Sequence, residues 1–134
     1  MIIEDIKEEE GFRGIPYNDH LGYPTVGYGT RLPLTEEEAE LLLKHRLEKM
    51  QKELNRRIKE SYGNVALPDE VWEILDHMAY QMGVSGVMGF KKMLGAIIKG
   101  NYRLASQEGM DSRWANQTPN RARRLMDRLA NIKA

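Results

Sequence analysis

Residues 10–29 read Glu-Gly-Phe-Arg-Gly-Ile-Pro-Tyr-Asn-Asp-His-Leu-Gly-Tyr-Pro-Thr-Val-Gly-Tyr-Gly, a stretch that places charged and hydroxyl side chains on turns. If residues 2–10 are helical, Glu10 is the last helical residue and Gly11 takes the C′ position, where a left-handed backbone is tolerated. A carboxylate is oddly placed there, because the helix dipole is negative at that end and disfavours a second negative charge. Asp19 lies in a run of turn formers, Asn18 to Gly22, and Thr25 opens the short extended segment Thr25-Val26-Gly27-Tyr28. Asp19 therefore belongs on or beside a β-hairpin turn, with Thr25 on the returning strand.

Taken singly, each residue has an ordinary reading. Glu10 ends the charge run Glu8-Glu9-Glu10, Asp19 is a turn former, and Thr25 is a β-branched strand residue. Only the set is specific. An acid at a helix end, a carboxylate on a nearby hairpin and a hydroxyl on its return strand suit glycoside hydrolysis, which needs an acid for the leaving oxygen and a base to direct water.

Working outward, Ile3 and Ile6 give residues 2–10 a weak apolar stripe, which needs a partner in a C-terminal lobe. Residues 12–32 hold too many glycines and prolines for a helix and suit a small hairpin sheet. Thr35-Glu36-Glu37-Glu38 has the capping-box form and opens the strongest helix, in which Ala39, Leu43, Leu47, Met50, Leu54 and Ile58 recur at steps of three or four as far as about Tyr62. At 1.5 Å per residue such a helix is roughly 40 Å long and suits a span between lobes. Beyond Gly63, Pro68 starts a helix carrying Val71, Ile74, Leu75, Met78 and Met82, and Gly83 ends it. Short pieces follow at about 86–89, 91–99 and 102–108, each closed by glycine. Thr118-Pro119 caps a last helix with Ala122, Leu125, Met126 and Leu129 inward. Most of the eight methionines, and both tryptophans, read as core.

Twenty basic and twenty acidic side chains cancel, which removes any whole-protein attraction to nucleic acid or membrane; the basic run at 121–128 lacks the aromatic platforms of a nucleic-acid helix. The chain has no cysteine, and no Cys/His cluster or His-Glu-x-x-His spacing, so neither disulfide, metal nor cofactor is expected. The N-terminus lacks the pattern of a secretory signal and no window reaches the ~18 apolar residues of a membrane span.

Glu10-Gly11-x-Arg13, Tyr17-x-Asp19 and Gly22-Tyr23-x-Thr25-Val26-Gly27-x-Gly29 resemble the catalytic signature of the phage lysozymes typified by the T-even coliphages. Gln81-Met82-Gly83-x-x-Gly86-Val87-x-Gly89-Phe90 and Ser112-Arg113-Trp114-x-Asn116-Gln117-Thr118-Pro119-Asn120-Arg121-Ala122 resemble that family's C-terminal lobe, the latter almost verbatim. The resemblance spans nearly the whole chain. It implies an α+β, mostly α, lysozyme-like single domain: a hairpin lobe at about 12–34, an inter-lobe helix at about 36–62, and a helical lobe at about 67–134 joined by the N-terminal helix 2–10. It implies a monomeric muramidase, made in the host cytoplasm and acting on peptidoglycan glycan strands in the periplasm, which a separate pore protein could help it reach. The rival is a wall-binding or tail module that keeps the fold and has lost catalysis.

The same resemblance carries roles to residues. Glu10 becomes the general acid, with Asp19 and Thr25 positioning water for inversion. Gly29, Arg31, Tyr80, Gln81, Met93 and Glu108 fall at glycan-contact positions. Arg121 falls where an arginine approaches the catalytic glutamate, and Arg124 where one pairs with the preceding acid, Glu9. The chain also departs from the family. Thr30 stands in place of a histidine, the loop and short helix after Leu32 are missing, and the chain past Ala130 is short. Arg31, Met93 and Glu108 differ from the T-even side chains, so substrate preference does not carry over.

Overall fold

The computed structural model describes residues 1–133. The chain divides into two compact units, one through Lys44 and one from His45 on.

The first unit begins with α1, Ile2–Glu10, which has no buried residue. It groups with the strands, whereas the sequence reading assigns residues 2–10 to the helical lobe. Strands β1 (Arg13–Asn18), β2 (Pro24–Gly27) and β3 (Thr30–Arg31) form an antiparallel sheet in the order β1-β2-β3. The β1–β2 register is irregular between Arg13, which faces Gly27, and Tyr17, which faces Thr25. Pro16 falls in that interval, where a residue without an N–H costs no ladder bond. In the second hairpin Val26 faces Thr30 and Thr25 faces Arg31, so Gly27-Tyr28-Gly29 forms a three-residue loop. Gly27 at φ 73° and Gly29 at φ 74° supply the positive φ values it needs.

Helix α2, Glu36–Tyr62, starts in the first unit and ends in the second. Its start is a complete capping box: Glu38 N donates to Thr35 Oγ1 at 3.1 Å and Thr35 N donates to Glu38 Oε1 at 2.9 Å. These two bonds hold the Glu38 carboxyl below its ordinary range, the backbone bond from Thr35 first. The predicted stripe is buried only toward the C-terminal end, at Leu54 and Ile58, while Leu43 near its start stays exposed.

The second unit holds the core. It comprises α3 (Asp69–Met82), α4 (Val84–Met88), α5 (Lys91–Ile98), α6 (Tyr102–Met110), α7 (Arg113–Gln117) and α8 (Pro119–Ala130), with the second half of α2. Val71, Ile74, Leu75 and Met78 of α3 meet Met93, Leu94 and Ile97 of α5 and Met126 and Leu129 of α8 in one buried cluster. Four methionines lie in that cluster, three more pack against it, and Met1 alone is fully outside. Arg128 ties α8 to α3, with Nε on Glu70 at 2.8 Å and Nη2 on Glu73 at 2.9 Å. Among the described residues no helix is long and apolar enough to cross a membrane.

Two local readings are corrected, and one short helix is added. Gly109 does not close α6, which runs on to Met110; it sits buried in the helix where a Cβ would collide with the sulfur of Met126 and crowd that of Met93. Thr118 does not cap α8 with its side chain, because its hydroxyl donates to Trp114 O at 3.0 Å. Ser112, by contrast, caps α7, a helix that periodicity cannot register in five residues.

The uneven burial of the α2 stripe gives a direct test. Leu54→Ala should lower the unfolding free energy by about 2–5 kcal/mol, while Leu43→Ala should stay within about 0.5 kcal/mol, both read by chemical denaturation. Equal losses would mean that the stripe is buried along its whole length.

Candidate active site

Glu10 stands at the end of α1, where Gly11 N donates to Lys7 O at 2.9 Å. Gly11 has φ 68° and ψ 160°, so it has positive φ without being in the left-handed helical region. That region is essentially open to glycine alone. The chain turns there, and the Glu10 side chain comes to lie over Gly29. A Cβ built on Gly29 would stand 2.7 Å from Glu10 Oε2, so this glycine leaves the room that the carboxylate occupies. The neighbouring Tyr28 holds the same loop to α1, with Lys7 Nζ 5.5 Å from its ring centre and the Phe12 ring 5.6 Å away.

Asp19 and Thr25 are fixed by the backbone of Tyr23. Asp19 N donates to Tyr23 O at 2.9 Å, and Thr25 Oγ1 donates to the same oxygen at 2.8 Å. In return Tyr23 N donates to Asp19 Oδ1 at 2.8 Å, joined there by Leu21 N at 2.9 Å. One carboxylate oxygen is thus committed to the turn. The other, Oδ2, faces Arg31 Nε at 3.7 Å, an ion pair too long for a direct hydrogen bond. The Asp19 carboxyl is held below its ordinary range by the Tyr23 N–H first, then by the Leu21 N–H, Arg31 and His20, with partial burial opposing. Its charge therefore favours folding above the unfolded-state pKa, and that contribution fades as pH falls through the lowered folded value. Thr25 is 2 % exposed, and with its proton on Tyr23 O its hydroxyl still has lone pairs to accept from water.

The remaining predicted residues lie in the helical unit. Tyr80 is 51 % exposed on α3. Gln81 accepts from Trp114 Nε1 at 2.9 Å, which leaves its amide N–H groups free to donate. Trp114 packs edge-on against Phe90, centroids 6.0 Å apart, and both line a cleft of about 450 Å³ with Glu108, Lys91 and Lys92. Met93 is 1 % exposed and lines that cleft from the core side. Arg121 lines a separate basic cleft of about 420 Å³ with His77, Arg124 and Arg128. Sequence reasoning missed Tyr23, although its position between Gly22 and Pro24 marks it as part of the turn.

The phage lysozyme family model matches residues 7–131, which include every element that carries these side chains. The chain belongs to the phage lysozyme family. It is 31 % identical over 150 aligned positions to the pre-baseplate central spike protein Gp5 of Enterobacteria phage T4, an alignment that takes in 91 % of this chain but 26 % of that protein. To the probable T4-type lysozyme 1 of Dictyostelium discoideum it is 28 % identical, over 90 % of this chain and 88 % of the relative. The chain thus spans about a quarter of the phage relative and most of the other. Peptidoglycan hydrolysis is the activity that goes with the family.

The turn and the carboxylate charge can be separated. Asp19→Asn keeps an oxygen for Leu21 N and Tyr23 N, whereas Asp19→Ala keeps none. Amide hydrogen exchange at these two positions should stay slow in the first variant and speed up in the second. Equal exchange in both would show that the side chain does not hold the turn.

Proposed function

We propose that the protein is a muramidase that hydrolyses the β-1,4 bond between N-acetylmuramic acid and N-acetylglucosamine with inversion, serving host lysis by a phage or prophage. The observation that carries this reading is the Tyr23 backbone, whose N–H holds a carboxylate and whose carbonyl oxygen holds a hydroxyl, while Asp19 Oδ2 is left unbound by backbone. Glu10 protonates the glycosidic oxygen as the bond to the anomeric carbon breaks. A water directed by Asp19 and Thr25 attacks from the opposite face, and its proton passes to Asp19. Solvent then restores both groups to their starting protonation states. Tyr80 offers an aromatic face to the glycan, and Gln81 and Glu108 offer hydrogen-bonding groups. The protein works as a monomer on the wall, reaching it with the help of a separate pore protein.

Loss of turbidity of chloroform-treated Gram-negative cells tests the reading. Wild-type protein should clear them, and Glu10→Gln should be at least about a hundredfold slower. Gly29→Ala should also lose about a hundredfold while keeping its helical circular dichroism, because the added methyl displaces the Glu10 carboxylate. Clearing by Glu10→Gln at the wild-type rate would remove Glu10 as the acid. Binding to peptidoglycan without release of reducing ends would assign the chain to wall attachment.

A further inference from the structure

Arg31 sits where a cross-strand neighbour of the site must sit. The β2–β3 register sets it opposite Thr25, and Thr25 in turn faces Tyr17 on β1, so the three side chains share one face of the sheet. Its guanidinium carbon lies 4.4 Å from the centre of the Tyr23 ring, on the residue whose backbone anchors Asp19 and Thr25. Arg31 Nε is 3.7 Å from Asp19 Oδ2, the oxygen that the turn leaves free.

An exposed ion pair alone holds a long side chain poorly. Here the arginine side chain is 58 % exposed, against 18 % for that of Asp19, and its face contact with the aromatic ring supplies the missing restraint. The separation also matters. A bidentate guanidinium would use up the carboxylate's acceptor sites, whereas at 3.7 Å Oδ2 keeps a lone pair for water beside a fixed positive charge.

We propose that Arg31 acts through Asp19, as a positioning residue that aims the carboxylate oxygen left free by the turn, and is not a contact to the glycan. This rests on the reading of Asp19 as the group that directs water. The basic side chains that act on Asp19 are Arg31 from β3 and His20 from the turn itself. Lysine at position 31 would keep the charge and lose the planar stacking; leucine would lose the charge.

The test uses the full chain with Arg31→Leu and Arg31→Lys. The Asp19 carboxyl is titrated by carbon-13 NMR without substrate, and steady-state kinetics are run on soluble, uncrosslinked glycan strands. In Arg31→Leu the Asp19 midpoint should rise and the acid limb of kcat should move to higher pH in step. At the optimum kcat should fall about two- to fivefold with KM unchanged, the scale of one exposed ion pair. Arg31→Lys should recover most of the midpoint. An unmoved midpoint, or a raised KM with kcat intact, would overturn the proposal and return Arg31 to the glycan. Full activity in Asp19→Asn would instead bring down the functional reading, while the midpoint in Arg31→Leu would still report whether the pair exists.

Discussion

The backbone of Tyr23 takes the Asp19 N–H and the Thr25 hydroxyl on its carbonyl oxygen and gives its N–H to the Asp19 carboxylate. Three hydrogen bonds to the Asp19 and Thr25 side chains, counting that from Leu21, therefore fix the two at one turn. Such a turn has little apolar surface to bury, and its stability comes from satisfied backbone groups. The consequence is chemical as well as structural. With Oδ1 occupied, the carboxylate presents a single oxygen, and Thr25 presents its lone pairs from a nearly closed position. The ring of the same tyrosine steadies Arg31 beside that oxygen.

A second constraint is steric. Gly29 has positive φ and also lies under the Glu10 carboxylate, so one glycine satisfies the hairpin loop and clears the space for the acid. Gly11 allows the turn that brings Glu10 there. The first unit thus places its acid between two glycines whose backbone or neighbours leave no room for another side chain. The second concentrates its stability in a methionine- and leucine-rich core under α3, α5 and α8.

Much of this was legible in the sequence, and the limits follow from physics. The capping box at Thr35 and Glu38 and the stripe of α8 are local patterns, and both occur in the structure as read. Gly109 was misread because a glycine that ends a helix and one that admits a neighbouring side chain look alike in one dimension; only the packing of Met126 against it separates them. Thr118 precedes a proline as a cap would, yet its hydroxyl bonds backward to Trp114 O. Met93 carries a flexible apolar side chain that suits a core or a binding surface equally, and in the structure it is buried while lining a cleft. Arg31 could not be paired with Asp19 from spacing, since their meeting depends on the register across two hairpins. Glu10, Asp19 and Thr25 were legible only as a set.

The central claim is that a carboxylate fixed by the Tyr23 backbone directs water onto the sugar while Glu10 protonates the leaving oxygen. Proton NMR of the anomeric signals in the first minutes of cleavage, before mutarotation mixes them, tests it most directly. The account predicts that the α-anomer of the new reducing end forms first from the β-linked glycan. First formation of the β-anomer would mean a retaining reaction with a nucleophile at the anomeric carbon, and would contradict it.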